Sequence, residues 1–198
     1  PPRLYTLHPT LYTTHHTLSY MKVLKFGGTS VGSVDSIRQI QHIIGQQTDD
    51  CIVVVSALGG ITDQLLKAAH LALEAGEEYM EIYQTIRCRH MDMVNTLITN
   101  PTTRQMLCLE LESILDELRS ILFGVHLVKD LSNKTEAAIV SYGERMSSRI
   151  VTAALPGAVR KNSLQFIRTE HKQGQVLLNT ELTEQLIRHA FSPIPHLS

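Results

Sequence analysis

The sequence predicts an α/β fold in which a mostly parallel sheet is flanked by helices. A strand, a glycine-containing loop and a helix follow one another twice within about 55 residues, which is typical of parallel strands joined by crossover helices. The second strand candidate, CIVVVS at 51–56, is continuously apolar, as expected of a strand buried on both faces. A long helical stretch at 77–123 follows as an insertion.

The composition excludes several classes of protein. The 198 residues, of which 43% are hydrophobic, suffice for one domain with a hydrophobic core. Lys and Arg number 18 against 19 Asp and Glu, which gives no general attraction to nucleic acid or anionic lipid. The longest nearly uncharged apolar run, at 51–61, is too short to span a bilayer. Three widely spaced cysteines favour a reducing compartment, so we expect a cytoplasmic protein without nucleic-acid or membrane partners.

The first twenty residues differ from the rest of the chain. They contain no acidic residue, and they lack the basic start and apolar stretch of a secretory signal. The strand-like segment MKVLKF begins only at Met21. We therefore expect residues 1–20 to be a leader or extension that is poorly ordered, and residues 21–198 to form the folded part.

Each of the first two strands is predicted to end in a glycine loop. Strand 22–26 runs into Gly-Gly-Thr-Ser, after which Ser33 caps a helix with isoleucines at helical spacing. Strand 51–56 runs into a loop containing Gly59 and Gly60, after which Thr62 caps the next helix. Ligands of open parallel sheets bind at the carboxyl ends of the strands, where both loops are expected to lie.

The rest of the chain is predicted to be mainly helical. Apolar residues at helical spacing predict two antiparallel helices that pack on each other, with a break at Asn100-Pro101. The predicted elements are helices at 77–97, 101–123 and 134–155, a short strand at 164–168, a polar loop, and a helix at 180–191.

The first loop has the composition of a phosphate site. Backbone amides in a glycine turn at a helix N-terminus favour phosphate oxygens, and the preceding Lys25 adds a mobile positive charge. The loop is not a Walker motif, because the lysine precedes the glycines and no Gly-Lys-Ser/Thr follows. Taken alone, the same residues are also compatible with a simple turn.

Four motifs in order resemble aspartate kinase, a member of the amino-acid-kinase family. They are KFGGTS at 25–30, VVVSALGGITD at 53–63, SYGERMSS at 141–148 and FIRT at 166–169. The third motif is most similar to that of the bifunctional aspartokinase–homoserine dehydrogenases. The resemblance runs from Met21 to about Pro195 and implies an amino-acid-kinase-like fold.

The resemblance also implies a reaction. It is the transfer of the γ-phosphoryl group of ATP, with Mg2+, to the β-carboxylate of L-aspartate, at the start of lysine, threonine and methionine synthesis. This acceptor, with an unperturbed pKa of about 3.9, is already ionised at neutral pH and needs no general base. Catalysis then depends mostly on positioning and charge neutralisation.

By resemblance, each site residue receives a role, and none is a metal ligand. Lys25 would stabilise the phosphoryl group during transfer. Ser56 and Thr62 would hold aspartate, Glu144 would pair with its α-ammonium group, and Arg168 would bind a carboxylate through its guanidinium fork. The residues expected to cradle phosphate are Gly27, Gly28, Thr29 and Ser30.

The chain departs from the family by what it lacks. The family continues into a second half that binds the nucleotide base, followed by regulatory domains and, in the bifunctional enzymes, by a dehydrogenase. We therefore expect an incomplete fold: the aspartate-binding part of an aspartokinase, inactive by itself. An incomplete sheet exposes an edge strand, which predicts a homo-oligomer or aggregation.

Three other functions remain open from the sequence. The chain could belong to a kinase of the same fold that acts on another carboxylate or on carbamate. It could be a non-catalytic interaction fragment. Its ten histidines could form a metal-binding module, although their scattered spacing argues against this.

Overall fold

The computed structural model describes residues 22–74, 76–172 and 174–191, so the leader predicted at 1–20 lies outside the described residues. The elements are β1 (Lys22–Phe26), α1 (Val34–Gly45), β2 (Cys51–Val55), α2 (Ile61–Leu73), α3 (Glu78–Leu97), α4 (Pro101–Val128), α5 (Asn133–Ala154), a 3-10 turn (Ser163–Gln165), β3 (Thr169–Lys172), β4 (Gln175–Leu178) and α6 (Thr180–Phe191).

Strands β1 and β2 pair in parallel, as the sequence predicts. The register places Lys22 opposite Cys51 and Phe26 opposite Val55. Because side chains alternate between the faces of a strand, one face carries Phe26, Val53 and Val55, which pack against the helical core. The other face is open.

The expectation that β2 is buried on both faces is wrong. Val54 is 43% exposed, and Val23 on the same face of β1 is 65% exposed. The described sheet around β2 has two strands, and its helices cover the face that carries Val53. Lys25 stands on the open face, opposite Val54 in the register.

The core is a helical layer centred on α2, which contacts α3, α4 and α5. Ala68 and Ala69 have no exposed surface, and their small side chains let the neighbouring helices approach closely. The predicted helical insertion supplies much of the rest. Its fully buried members are Ile86, Val94, Leu111, Leu115, Leu118 and Leu122.

Most helix ends follow local sequence signals. The side chains of Ser33, Asn100 and Ser132 accept hydrogen bonds from first-turn amides of α1, α4 and α5, respectively. The prediction that Thr62 caps α2 is wrong. The cap is Gly60, two residues earlier, with φ 79°, and it has no side-chain oxygen to bond the free amides of the first turn.

The strand predicted at 164–168 is also wrong. Asn162 accepts a hydrogen bond from the Leu164 amide and folds the chain into a 3-10 turn. The strand β3 begins just afterwards and pairs antiparallel with β4, where the sequence predicted a polar loop. All four residues of β4 are exposed, so the strand has no buried apolar face that would indicate the hairpin in the sequence.

One histidine lies in the core between the helices. Nδ1 of His90 donates to the carbonyl oxygen of Ile86 at 2.7 Å, whereas Nε2 is buried without a described partner. Burial disfavours the charged ring and lowers the pKa of His90 from 6.5 to about 4. Among the described helices, none combines the length and apolar character needed to cross a bilayer.

Candidate active site

The two glycine loops meet at the carboxyl ends of β1 and β2. The Ser56 amide donates to the carbonyl oxygen of Phe26 at 3.1 Å, which extends the strand pairing into the loops. Beyond this bond the backbones touch. A Cβ built on Gly28 would lie 3.2 Å from the Ala57 oxygen, and one on Gly59 would lie 3.1 Å from the Gly28 oxygen. Glycine at both positions therefore permits this close approach.

The first loop keeps two amides free. The amides of Ser30 and Val31 donate to the carbonyl oxygen of Gly27 at 2.9 and 3.2 Å and close the turn. In contrast, the amides of Gly28 and Thr29 donate to no described residue. Successive free amides in a turn form a concave site for an anion. The loop predicted to cradle phosphate thus has donors available for it.

A cation and a groove lie beside this loop. Lys25 is exposed and makes no hydrogen bond or ion pair with the part of the chain that the structure describes. Thr29 and Ser30 line a groove of about 290 Å3 that extends along α1. The lysine side chain is therefore available to a phosphorylated ligand held at the loop.

Helix α5 forms two hydrogen bonds with the second loop. Oε1 of Glu144 accepts a hydrogen bond from the Ala57 amide at 3.2 Å, and the Ser147 hydroxyl donates to the Ser56 carbonyl at 2.7 Å. The helix approaches closely because position 143 is glycine. A Cβ built on Gly143 would lie only 2.6 Å from the Cβ of Ala57.

The structure brings several predicted acceptor-site residues together. Glu144 contacts the loop that Ser56 begins, and Thr62 follows that loop in the first turn of α2. Glu144 is exposed, and its second oxygen accepts from no residue that the structure describes. A carboxylate with one oxygen fixed and the other free suits an ammonium group as its partner.

Arg168 lies apart from these residues. Its guanidinium donates to the carbonyl oxygens of Leu164 and Ile167, within the turn that precedes β3. Its own carbonyl accepts from the Asn179 amide at 2.9 Å. In the described residues it forms no ion pair with Glu144.

Two residues that pack against the second loop were not predicted from the sequence, although both lie in the third motif. Gly143 and Ser147 are four residues apart, so they share one face of α5, and both are buried against the second loop. Two small residues at this spacing are a signal of close packing between a helix and a backbone segment. The motif alone, however, gives no indication of which segment it is.

An ion pair fixes the rotation of α5 about its axis. Nη2 of Arg145 donates to Glu117 on α4 at 2.6 Å, and the Tyr142 hydroxyl donates to the same oxygen at 3.3 Å. The hydrogen bond from Arg145 lowers the pKa of the Glu117 carboxyl. The guanidinium also lies over the Tyr142 ring, 4.1 Å from its centroid. The anchored residue is adjacent in the chain to Glu144, which bonds the second loop.

Comparison with known proteins identifies the family of this chain. The model of the amino acid kinase family matches residues 21–196. The chain belongs to the amino acid kinase family. Among curated relatives, this family member is similar to aspartokinase 2, chloroplastic, of Arabidopsis thaliana, with 32% identity over 137 residues, 67% of this chain and 24% of that protein. It is also similar to the bifunctional aspartokinase/homoserine dehydrogenase of Buchnera aphidicola, with 30% identity over 141 residues, 68% of this chain and 17% of that protein.

Two solved structures support this family membership. The aspartokinase III of E. coli in complex with aspartate and ADP (R-state) matches with a TM-score of 0.74 and 26% identity, over 90% of this chain and 38% of that chain. The same enzyme in complex with lysine and aspartate (T-state) gives 0.73 and 25%, over 89% and 38%. The predicted fold class and the resemblance to aspartokinases are thereby confirmed. This chain spans about a quarter of the length of the Arabidopsis relative and 38% of the length of these solved chains.

Proposed function

We propose that this chain is the aspartate-binding part of an ATP-dependent aspartate kinase, which forms 4-phospho-L-aspartate. The observation that carries the proposal is the backbone contact between the two glycine loops, at Gly28 and Gly59. One loop has free amides and a neighbouring lysine, and the other is held by a partly free carboxylate on α5. A phosphate donor and an amino-acid acceptor would therefore be held side by side.

The donor would bind at the first loop. The free amides of Gly28 and Thr29, together with the hydroxyls of Thr29 and Ser30, would donate hydrogen bonds to phosphate oxygens. Lys25 would neutralise charge on the group in transfer, where preorganised positive groups are most effective. These residues fit the triphosphate of ATP. Mg2+ would be bound through the phosphate oxygens of ATP and would neutralise part of their charge.

The acceptor would bind at the second loop. The free oxygen of Glu144 would bind the α-ammonium group, while the hydroxyls of Ser56 and Thr62 would hold the rest of aspartate. The ionised β-carboxylate then attacks the γ-phosphorus, an O–P bond forms, and the bond to the leaving ADP breaks. No proton moves in this step. For Arg168 to bind a carboxylate, its guanidinium would have to exchange its two carbonyl contacts for the substrate.

Two further features belong to the same proposal. We expect a homo-oligomer, because both strands of the β1–β2 sheet have an unpaired edge in the described part of the chain. We also expect action in the cytoplasm on the basis of the three widely spaced cysteines, whereas the Arabidopsis relative is named chloroplastic.

Titration calorimetry tests the acceptor specificity. L-aspartate, L-glutamate and N-acetylglutamate are titrated into the wild-type chain and into Glu144→Gln, with Glu136→Gln as the control. Glu136 lies on the same helix but bonds His70 instead of the loop. We expect aspartate to bind best, with about tenfold or greater weakening in Glu144→Gln only. Preference for another carboxylate would favour a different kinase of this fold, and no binding of any amino acid would favour a non-catalytic fragment.

A further inference from the structure

Arg89 on α3 bonds the first glycine loop and lies beside the second. Its Nη2 donates to the carbonyl oxygen of Gly32, at the end of the first loop, at 3.2 Å. A Cβ built on Gly60, in the second loop, would lie 3.9 Å from Arg89 Nη1. The helical insertion thus places one guanidinium across the junction of the two loops.

The partners of Arg89 differ from those of its neighbour. Arg87 forms an ion pair with Glu112, with Nε 3.0 Å from Oε2. Arg89 is half-buried, and its guanidinium has no acidic partner in the part of the chain that the structure describes. Its planar fork and its long apolar stem suit it to bridge two backbone segments.

The loop geometry shows what such a bridge does. A Cβ on Gly32 would lie 3.1 Å from the Gly28 oxygen and 3.5 Å from the Gly59 amide nitrogen, so Gly32 belongs to the same contact. The strand pairing holds this contact on one side, through the bond between Ser56 and Phe26. Arg89 adds a bond from α3 to the Gly32 carbonyl, at the end of the first loop.

We propose that Arg89 is a positioning residue, which fixes the spacing of the two loops through the Gly32 carbonyl and Gly60. The proposal rests on the proposed function, in which one loop holds the phosphate donor and the other holds the acceptor. Loss of the bridge lets the loops separate, and the reacting atoms then lose their alignment. The helical insertion thereby contributes to the site through a backbone carbonyl and without touching a ligand.

Amide hydrogen exchange tests the bridge directly. Wild type, Arg89→Met, Arg89→Lys and the control Arg87→Met are compared at residues 27–33 and 56–61. In Arg89→Met we expect the hydrogen-bonded amides of both loops, at Ser30, Val31, Ser56 and Ala57, to exchange about tenfold faster, with an unchanged melting temperature. Arg89→Lys keeps the charge but lacks the fork, so it should remain closer to Arg89→Met than to wild type. Arg87→Met should accelerate exchange in α3 and α4 and leave the loops unchanged.

Aspartate binding by calorimetry supplies the second measurement. We expect a weakening of about fivefold or more in Arg89→Met and little change in Arg87→Met. Unchanged loop exchange in Arg89→Met, or full rescue by Arg89→Lys, would overturn the bridge. If wild type binds no aspartate, the proposed function fails, and the exchange experiment still decides the role of Arg89.

Discussion

The hydroxyl of Ser147 donates a hydrogen bond to the carbonyl oxygen of Ser56 across 2.7 Å, and Ser147 has no exposed surface. The bond joins α5 to the point where β2 becomes a loop. Its two residues are 91 positions apart in the chain. It is therefore a long-range hydrogen bond that depends on the packing of α5 against the sheet.

Replacing Ser147 by alanine should remove this hydrogen bond and weaken the attachment of the second loop to α5. The half-buried Ser56 carbonyl would lose its donor, which costs about 1 kcal/mol in the free energy of unfolding. Urea unfolding measures the loss, and we expect weaker aspartate binding with it. Ser148→Ala is the control, because the Ser148 hydroxyl bonds within its own helix, to the Arg145 carbonyl. An equal effect of the two substitutions would contradict the role of Ser147.

Gly143→Ala should overpack the contact between α5 and the second loop. The new Cβ would lie 2.6 Å from the Cβ of Ala57, and such clashes cost about 1–3 kcal/mol. The double variant with Ala57→Gly removes the clashing atom, so we expect it to recover part of the lost free energy of unfolding. Gly124→Ala on α4 is the control, since its Cβ meets no atom within 4 Å and should stabilise by up to about 1 kcal/mol. Additive effects in the double variant would show that the two positions do not clash.

His90 should make the fold sensitive to acid. The native ring has a pKa of about 4 against 6.5 in the unfolded chain, so between these values the unfolded state binds more protons. The free energy of unfolding should therefore fall by up to about 3 kcal/mol as the pH drops from 6.5 toward 4. Chemical unfolding across this range, with His90→Gln, measures the effect, because the variant should lose this part of the pH dependence. His42→Gln, at an exposed position on α1, should keep the wild-type profile.

The open face of the sheet should drive self-association of the chain. Val23 and Val54 lie exposed on this face, beside unpaired strand edges. Light scattering after size exclusion should show species larger than a monomer, and Val23→Glu should shift them toward the monomer. Val159→Glu is the control at a position that is 80% exposed, outside the sheet. A monodisperse wild-type monomer would contradict the prediction.

Local patterns were sufficient to predict much of the fold. Strands β1 and β2, the glycine loops, the cap at Ser33 and the helix break at Asn100-Pro101 follow from residue types within a few positions. The β3–β4 hairpin escaped prediction because its exposed strands carry no alternating apolar face. The apolar residues at 164–167 instead suggested a strand, where Asn162 turns the chain.

The candidate site was less accessible from sequence. The hydrogen bond of Glu144 to Ala57 spans 87 positions, and that of Arg89 to Gly32 spans 57. No short-range pattern encodes either contact, since each depends on how α3 and α5 pack around α2. The resemblance to aspartokinases identified Glu144, but it gave no reason to single out Arg89, Gly143 or Ser147.

The contact of Gly28 with Gly59 sets a limit on how this site can diverge. Main-chain atoms form the contact, and a Cβ on either glycine would press against the other loop, so a side chain at Gly28 or Gly59 would push the loops apart. Under the proposed function, we expect variation in acceptor preference to come from the residues around the loops, at Thr62 and on the face of α5 that carries Glu144. Engineering of a new acceptor should therefore leave the loops intact and randomise those surrounding positions.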